Sequence, residues 1–173
     1  MKKVIRYNAF ETNSSSMHTV TVRGKRHIDD YYKSSIERNI DKDGNIVTTL
    51  DEYGWYGEPL TNFWEKLPYA LLMVLYTEYS GFDYYDNNFT IDQDKLEKCT
   101  GYQNILEAIQ SCCKECKGII IEKMSGYYPY GYIDHQSYED YKSLNDFLND
   151  WNVDIEHFLF DDNIKVYIGN DNG

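Results

Sequence analysis

The sequence predicts a single α+β domain over residues 1–173, with a small mixed or antiparallel sheet packed by about three to four helices. Short runs rich in β-branched residues recur near both ends and in the middle of the chain, whereas apolar residues at helical spacing concentrate in two stretches, 60–79 and 100–117. An apolar content of 42% in 173 residues is enough to bury one core without disulfides.

In chain order, Val4 to Tyr7 and Thr19 to Val22 read as strands, joined across the polar, turn-forming Thr12 to Ser16. Ile28 to Arg38 reads as a short helix ending near Asn39, before the turn Asp41-Lys42-Asp43-Gly44-Asn45, and Ile46 to Leu50 resumes as a strand. After Pro59, Leu60 to Tyr79 is the main helical region, where Phe63, Trp64, Leu67, Leu71, Leu72, Val74, Leu75 and Tyr79 make a broad apolar face. Proline is tolerated in a first turn and not in a helix interior, so Pro68 should divide this region into a short helix and a longer one. Gly81 to Asn88 is a polar, tyrosine-rich loop.

Thr100 is placed to cap a helix running to about Lys117, with Ile105, Leu106, Ile109, Cys112, Cys113 and Cys116 on one stripe and Gly118 ending it. Ile119 to Ile121 has the composition of a buried strand. Gly126 to Gly131 is turn chemistry leading into Tyr132 to Ser137. Ser143 followed by Asp146 is a capping-box variant opening a helix through Trp151, and Ile164 to Ile168 is a terminal strand before a fraying Gly169 to Gly173.

Charge is divided unevenly. Residues 1 to 27 hold six basic side chains against the single Glu11, a balance of +5, which leaves −17 on the other 146 residues of a chain whose total is −12. A polyanion repels nucleic acid and anionic lipid, so the acidic part points to a basic partner or to solubility alone. The first residues lack an apolar run long enough for a secretory leader, and the longest apolar run, Tyr69 to Tyr76, falls far short of the roughly 20 residues of a membrane span. No membrane association, a cytoplasmic location and reduced cysteines are therefore expected.

Tyrosine supplies 18 residues of the chain. Its large face and wet hydroxyl suit an interaction surface, and equally suit the roof of a small core. Acidic groups recur in pairs, and Asp146, Asp150 and Asp154 would stack on one helix face if the last helix ran that far, unless Asn152 and Val153 end it first. Like charges at that spacing cost helix stability, so a partner or solubility must account for them. Candidate partner-binding residues are Asp146, Asp150, Asp161 and Asp162, with Tyr127, Tyr128 and Tyr130. Arg23, Lys25 and Arg26 are candidates for contact with nucleic acid.

Three constellations carry possible chemistry. Cys99, Cys112, Cys113 and Cys116 include one CxxC and offer four thiolates to zinc, but they also continue the apolar stripe of Leu106 and Ile109, where free cysteine packs as a small hydrophobe. Asn13, Ser14 to Ser16 and His18 fit a phosphate cradle or a nucleophile with its base, or simply loop-satisfying hydroxyls. Glu11, His18, Asp134 and His135, if brought together, would supply acid–base chemistry or metal ligands, or else a hydrogen-bond network fixing the loops. No cofactor is expected.

The block Phe10-Glu11-Thr12-Asn13-Ser14-Ser15-Ser16 with His18, the Tyr53-Gly54-Trp55 and Lys66-Leu67-Pro68-Tyr69 pair, and Gly131-Tyr132-Ile133-Asp134-His135-Gln136-Ser137 resemble a group of mostly uncharacterised proteins of bacteriophages and prophages of Gram-positive gut bacteria. Met17 departs from the pattern, standing where a small hydroxyl residue is expected, which counts against chemistry at the serine loop. Similar members have been associated with anti-CRISPR activity against Cas9, and the resemblance implies no catalytic residue. It implies a phage-encoded inhibitor of a host defence nuclease, acting in the bacterial cytoplasm. Charge complementarity agrees, because Cas9 or another basic nucleic-acid-binding host protein presents arginines that carboxylates and phenol rings can engage. The rival readings are a small phage enzyme, a nuclease or nucleotide-processing protein using Glu11, His18, Asp134 and His135, and a virion assembly protein.

Overall fold

The computed structural model describes residues 16–21, 30–54, 58–133 and 141–170. It is α+β: six helices and three two-stranded pairs among the described residues. In order these are β1 (Ser16–Thr21), α1 (Asp30–Asn39), β2 (Asn45–Thr48), β3 (Glu52–Tyr53), α2 (Phe63–Thr77), α3 (Gln93–Leu96), α4 (Thr100–Cys112), β4 (Gly118–Ile121), β5 (Tyr132–Ile133), α5 (Leu144–Asp150), α6 (Ile155–Phe160) and β6 (Lys165–Asn170). Val4 to Tyr7 lies outside the described residues.

The chain's early and late parts meet as an antiparallel ladder, with His18 opposite Ile168 and Val20 opposite Val166. Leu60 exchanges both backbone bonds with Val166 on the other side, at 2.9 and 3.0 Å. β2 pairs with β4 in parallel, as does β3 with β5, so α2, α3 and α4 lie within the crossovers. The edge of β4 turned from β2 is blunted by side chains: Tyr102 receives the Ile119 N–H at 2.9 Å, and Gln93 Nε2 donates to the Ile119 carbonyl at 3.0 Å. A strand edge satisfied in this way offers no template for another chain.

α2 organises the core. Asn62 and Glu65 form a capping box, the Asn62 Oδ1 accepting from the N–H groups of Trp64 and Glu65 while Glu65 Oε2 accepts the Asn62 N–H at 3.2 Å. Contrary to the expected break, the helix runs through Pro68 as one 15-residue element. Proline there forfeits the bond to the Trp64 carbonyl. Burial of every residue from Lys66 to Leu75 offsets that loss, because interrupting the helix would expose the apolar face that α4, α5 and α6 cover.

α4 stops at Cys112 rather than Lys117, with Cys99 as its N-cap and Cys113 as its C-cap. Gly118 opens β4 instead of ending the helix. α5 begins as expected, Ser143 Oγ accepting the Asp146 N–H at 3.1 Å. The expected acidic row is interrupted by Asn152 at φ 53°, after which Asp154 caps the short α6 through the His157 N–H. α3 and α6 are the two helices beyond the three to four expected from periodicity, both too short to show it.

Candidate functional site

Two loops bring tyrosines together beyond the end of α2. In the first, Asp83 Oδ1 accepts the N–H groups of Tyr85 and Asp86 at 3.0 and 3.2 Å, and Asp86 Oδ1 accepts the Asn88 N–H at 2.8 Å. These aspartate turns fix the direction of Tyr84 and Tyr85. In the second, Met124 N–H bonds the Pro129 carbonyl at 2.8 Å and Gly131 N–H bonds the Tyr128 carbonyl at 3.1 Å. Gly131 adopts φ 75°, and a Cβ there would stand 2.6 Å from the Asp51 carbonyl, so only glycine lets the loop enter β5 beside β3. Lys123 ties the loops together, its ammonium donating to the carbonyls of Asn87 and Phe89.

The rings are layered. Tyr132, Tyr130, Tyr76, Phe82 and Phe89 form a buried or half-buried floor, with Phe89 edge-on to Tyr130 at 5.8 Å. Tyr128 stacks on Tyr132 at 4.6 Å and 23°. Above them Tyr84 and Tyr85 lie 4.2 Å apart, Tyr127 meets Tyr128 at 4.8 Å, and Tyr85 meets Tyr127 at 6.0 Å. Tyr127 is 69% exposed and Tyr85 53%. Burial, with the Tyr85 and Tyr127 phenols and the Glu52 carboxylate beside it, raises the Tyr128 hydroxyl above its ordinary range and keeps it neutral. Asp83, Asp86 and Glu52 are exposed and frame this platform with negative charge.

Of the sequence-derived anchors, Tyr127 and Tyr128 belong to the platform, while Tyr130 is 5% exposed and serves the floor instead. Asp161 is also unavailable to a partner. It is buried, and its main-chain carbonyl accepts the ammonium of the fully buried Lys66 at 2.8 Å, while Asn163 bonds its Oδ1 through both N–H groups. Asp162 is exposed, but its Oδ1 receives the Tyr32 hydroxyl. Asp146 and Asp150 are exposed on α5, with Asp146 Oδ2 accepting the Lys142 N–H at 3.2 Å.

The Lys66 cluster was not foreseen, although Lys66 stands among Phe63, Tyr69 and Ala70 at i−3, i+3 and i+4, a core position for a charged residue. Burial pulls its ammonium down to about 8, against the opposing pull of Asp162, Asp161 and Glu65. Among the described residues, Asp161 Oδ2 is buried with no hydrogen-bond partner.

Cys99, Cys113 and Cys116 are buried in the core and Cys112 is half-buried against it, and burial raises all four thiols, that of Cys112 to about 11. Cys99 and Cys112 lie at opposite ends of α4, ~20 Å apart by helical rise. Among the described residues no three His, Cys, Asp or Glu side chains converge to hold a metal ion. Cys99, Cys112, Cys113 and Cys116 therefore do not come together as one four-thiolate set. The side chains of Glu11, His18, Asp134 and His135, and residues Arg23, Lys25 and Arg26, lie outside the described residues, as does the serine loop apart from the Ser16 backbone in β1. No helix of the described residues is long and apolar enough to cross a membrane. No family model matches the chain, and no curated protein or solved structure does.

Proposed function

We propose that this chain is a phage-encoded inhibitory protein that binds a basic, nucleic-acid-handling host protein in the bacterial cytoplasm, with Cas9 as the partner, through the tyrosine platform of Tyr84, Tyr85, Tyr127 and Tyr128. The observation that carries the reading is the exposure of Tyr85 and Tyr127 on a stacked aromatic floor framed by Asp83, Asp86 and Glu52. Tyrosine and tryptophan anchors on rigid supports supply most of the energy of protein interfaces. A chain of net charge −12 is steered toward a positive surface. Cas9 holds its guide and target in such a channel and reads the adjacent duplex with arginines. The choice of Cas9 itself rests on the sequence resemblance.

Arg23, Lys25 and Arg26 form a separate basic group in the sequence that complements this mode by contacting guide RNA or DNA. The test is capture of the purified chain on immobilised guide-loaded Cas9 across a salt series. The expected result is retention at low salt, weakening as salt rises, and reduced about 30-fold or more in the Tyr85→Ala/Tyr127→Ala variant, as for an interface hot spot. Absence of capture at low salt would overturn the reading.

A further inference from the structure

Taking the platform reading as its premise, we infer that the group recognised there is the guanidinium of arginine, stacked flat on Tyr85 and Tyr127, in preference to the ammonium of lysine.

Ring geometry separates these two cations. Tyr85, Tyr127 and Tyr128 sit with centroids 4.8 to 6.0 Å from one another, Tyr127 standing at 85° to Tyr128 and at 76° to Tyr85. Tyr85 is tilted 47° to Tyr128, and rings this close leave no space between them for a cation. An ammonium gains most from aromatic groups when several faces surround it within about 6 Å and replace its hydration. What these tyrosines present is their outer faces, a platform rather than a cage. A compact, strongly hydrated ammonium gains little from one open face, whereas a planar, weakly hydrated guanidinium stacks on it over its whole area.

The carboxylates fit the same choice. Asp83 and Asp86 each spend Oδ1 on loop N–H groups, and no described residue bonds the Oδ2 of either. A guanidinium lying on the Tyr85 ring directs its N–H groups outward in its own plane, where carboxylates of the same loop, Asp83 and Asp86, and Glu52 beside Tyr128 can accept them. Stacking and charge-assisted hydrogen bonding are then satisfied together. Negative rim charge disfavours phosphate groups, so the platform does not double as a nucleic-acid site. Both loops are tied down by Lys123 and by the aspartate turns, so little ordering entropy opposes binding.

The experiment compares two fluorescently labelled peptides of equal length and charge, alternating glycine–arginine and alternating glycine–lysine, titrated with the full chain at low and moderate salt. The arginine peptide is expected to bind about tenfold more tightly, with the advantage removed in Tyr127→Leu and in Tyr85→Leu/Tyr127→Leu, whose melting temperatures confirm folding. Leucine keeps an apolar surface and removes the π face. Equal affinity for the two peptides would overturn the inference and leave the acidic-platform reading standing. So would a preference for arginine that survives both leucine variants and disappears in Asp146→Asn/Asp150→Asn. If neither peptide binds while Cas9 is still captured, the inference fails alone. If both peptides and Cas9 fail to bind, the platform reading falls with it.

Discussion

The carboxylate of Glu78 holds the N-terminus of α4 by accepting the Gly101 N–H at 2.8 Å, and its second oxygen accepts the Leu144 N–H of α5 at 3.1 Å. One side chain at the C-cap of α2 thus fixes two other helices, satisfying donors that helix termini otherwise leave orphaned. Gly101 is what permits the approach, since a Cβ there would lie 2.6 Å from both Glu78 Oε1 and the buried Val74 Cγ2.

Two substitutions test this junction. Glu78→Ala leaves two half-buried N–H groups unpaired and should cost about 1–3 kcal/mol. Gly101→Ala overpacks against the buried Val74 and should cost about 1–3 kcal/mol despite alanine's better helix propensity. Urea unfolding of both variants measures the two costs. A stabilised Gly101→Ala would show that the junction yields freely.

Lys66 gives the stability a pH dependence of defined sign. Its folded-state value of about 8 lies below the ordinary 10.5, so burial of the ammonium penalises the fold fully below pH 8. Between those limits the unfolded chain holds a proton that the folded chain lacks, and stability rises with pH. Over pH 8 to 10 the rise amounts to about 2 kcal/mol from this group. Lys66→Met abolishes it, so the stability of the variant minus that of the parent should fall across the same window in chemical denaturation. A constant difference would mean that Lys66 stays charged in the fold.

Buried phenols act in the opposite direction. Burial raises the hydroxyls of Tyr32, Tyr53, Tyr69 and Tyr102, with the Asp162 carboxylate adding to the effect at Tyr32 and Asp51 at Tyr53. Their contribution is complete below pH 10 and is lost as the unfolded chain begins to ionise above it. Absorbance titration at 295 nm should therefore show one set of tyrosines ionising near pH 10 and a second only on unfolding. A single titration of all 18 near pH 10 would contradict their burial.

Periodicity made the backbone legible where the pattern was long. α1, α2, α5 and the strands at 45–48, 118–121 and 165–170 follow from apolar spacing and from caps such as Ser143. Pro68 escapes the local rule for proline because burial on several sides holds the helix together. Cys113 to Lys117 continued the stripe of α4 but fold as a turn, whose Lys117 N–H reaches the Gly44 carbonyl at 2.7 Å. The site was only half visible. Tyr127 and Tyr128 could be singled out, but Tyr84 and Tyr85 join them by contacts across more than forty residues, which no local pattern encodes. Lys66 and Asp161 are likewise 95 positions apart.

Layering of the tyrosine platform predicts that stability and binding separate ring by ring. Tyr132 is buried and stacked under Tyr128, with its N–H on the Asp51 carbonyl at 3.2 Å, so Tyr132→Ala should cost about 3 kcal/mol and loosen the rings above it. Tyr127 is exposed and touches Tyr85 and Tyr128 through T-shaped ring contacts, so Tyr127→Ala should cost no more than about 1 kcal/mol while removing a binding face. Urea unfolding and near-ultraviolet circular dichroism of the two variants check this. Equal destabilisation would mean that the outer ring is scaffold, because a residue placed for a partner contributes little to the fold until that partner arrives.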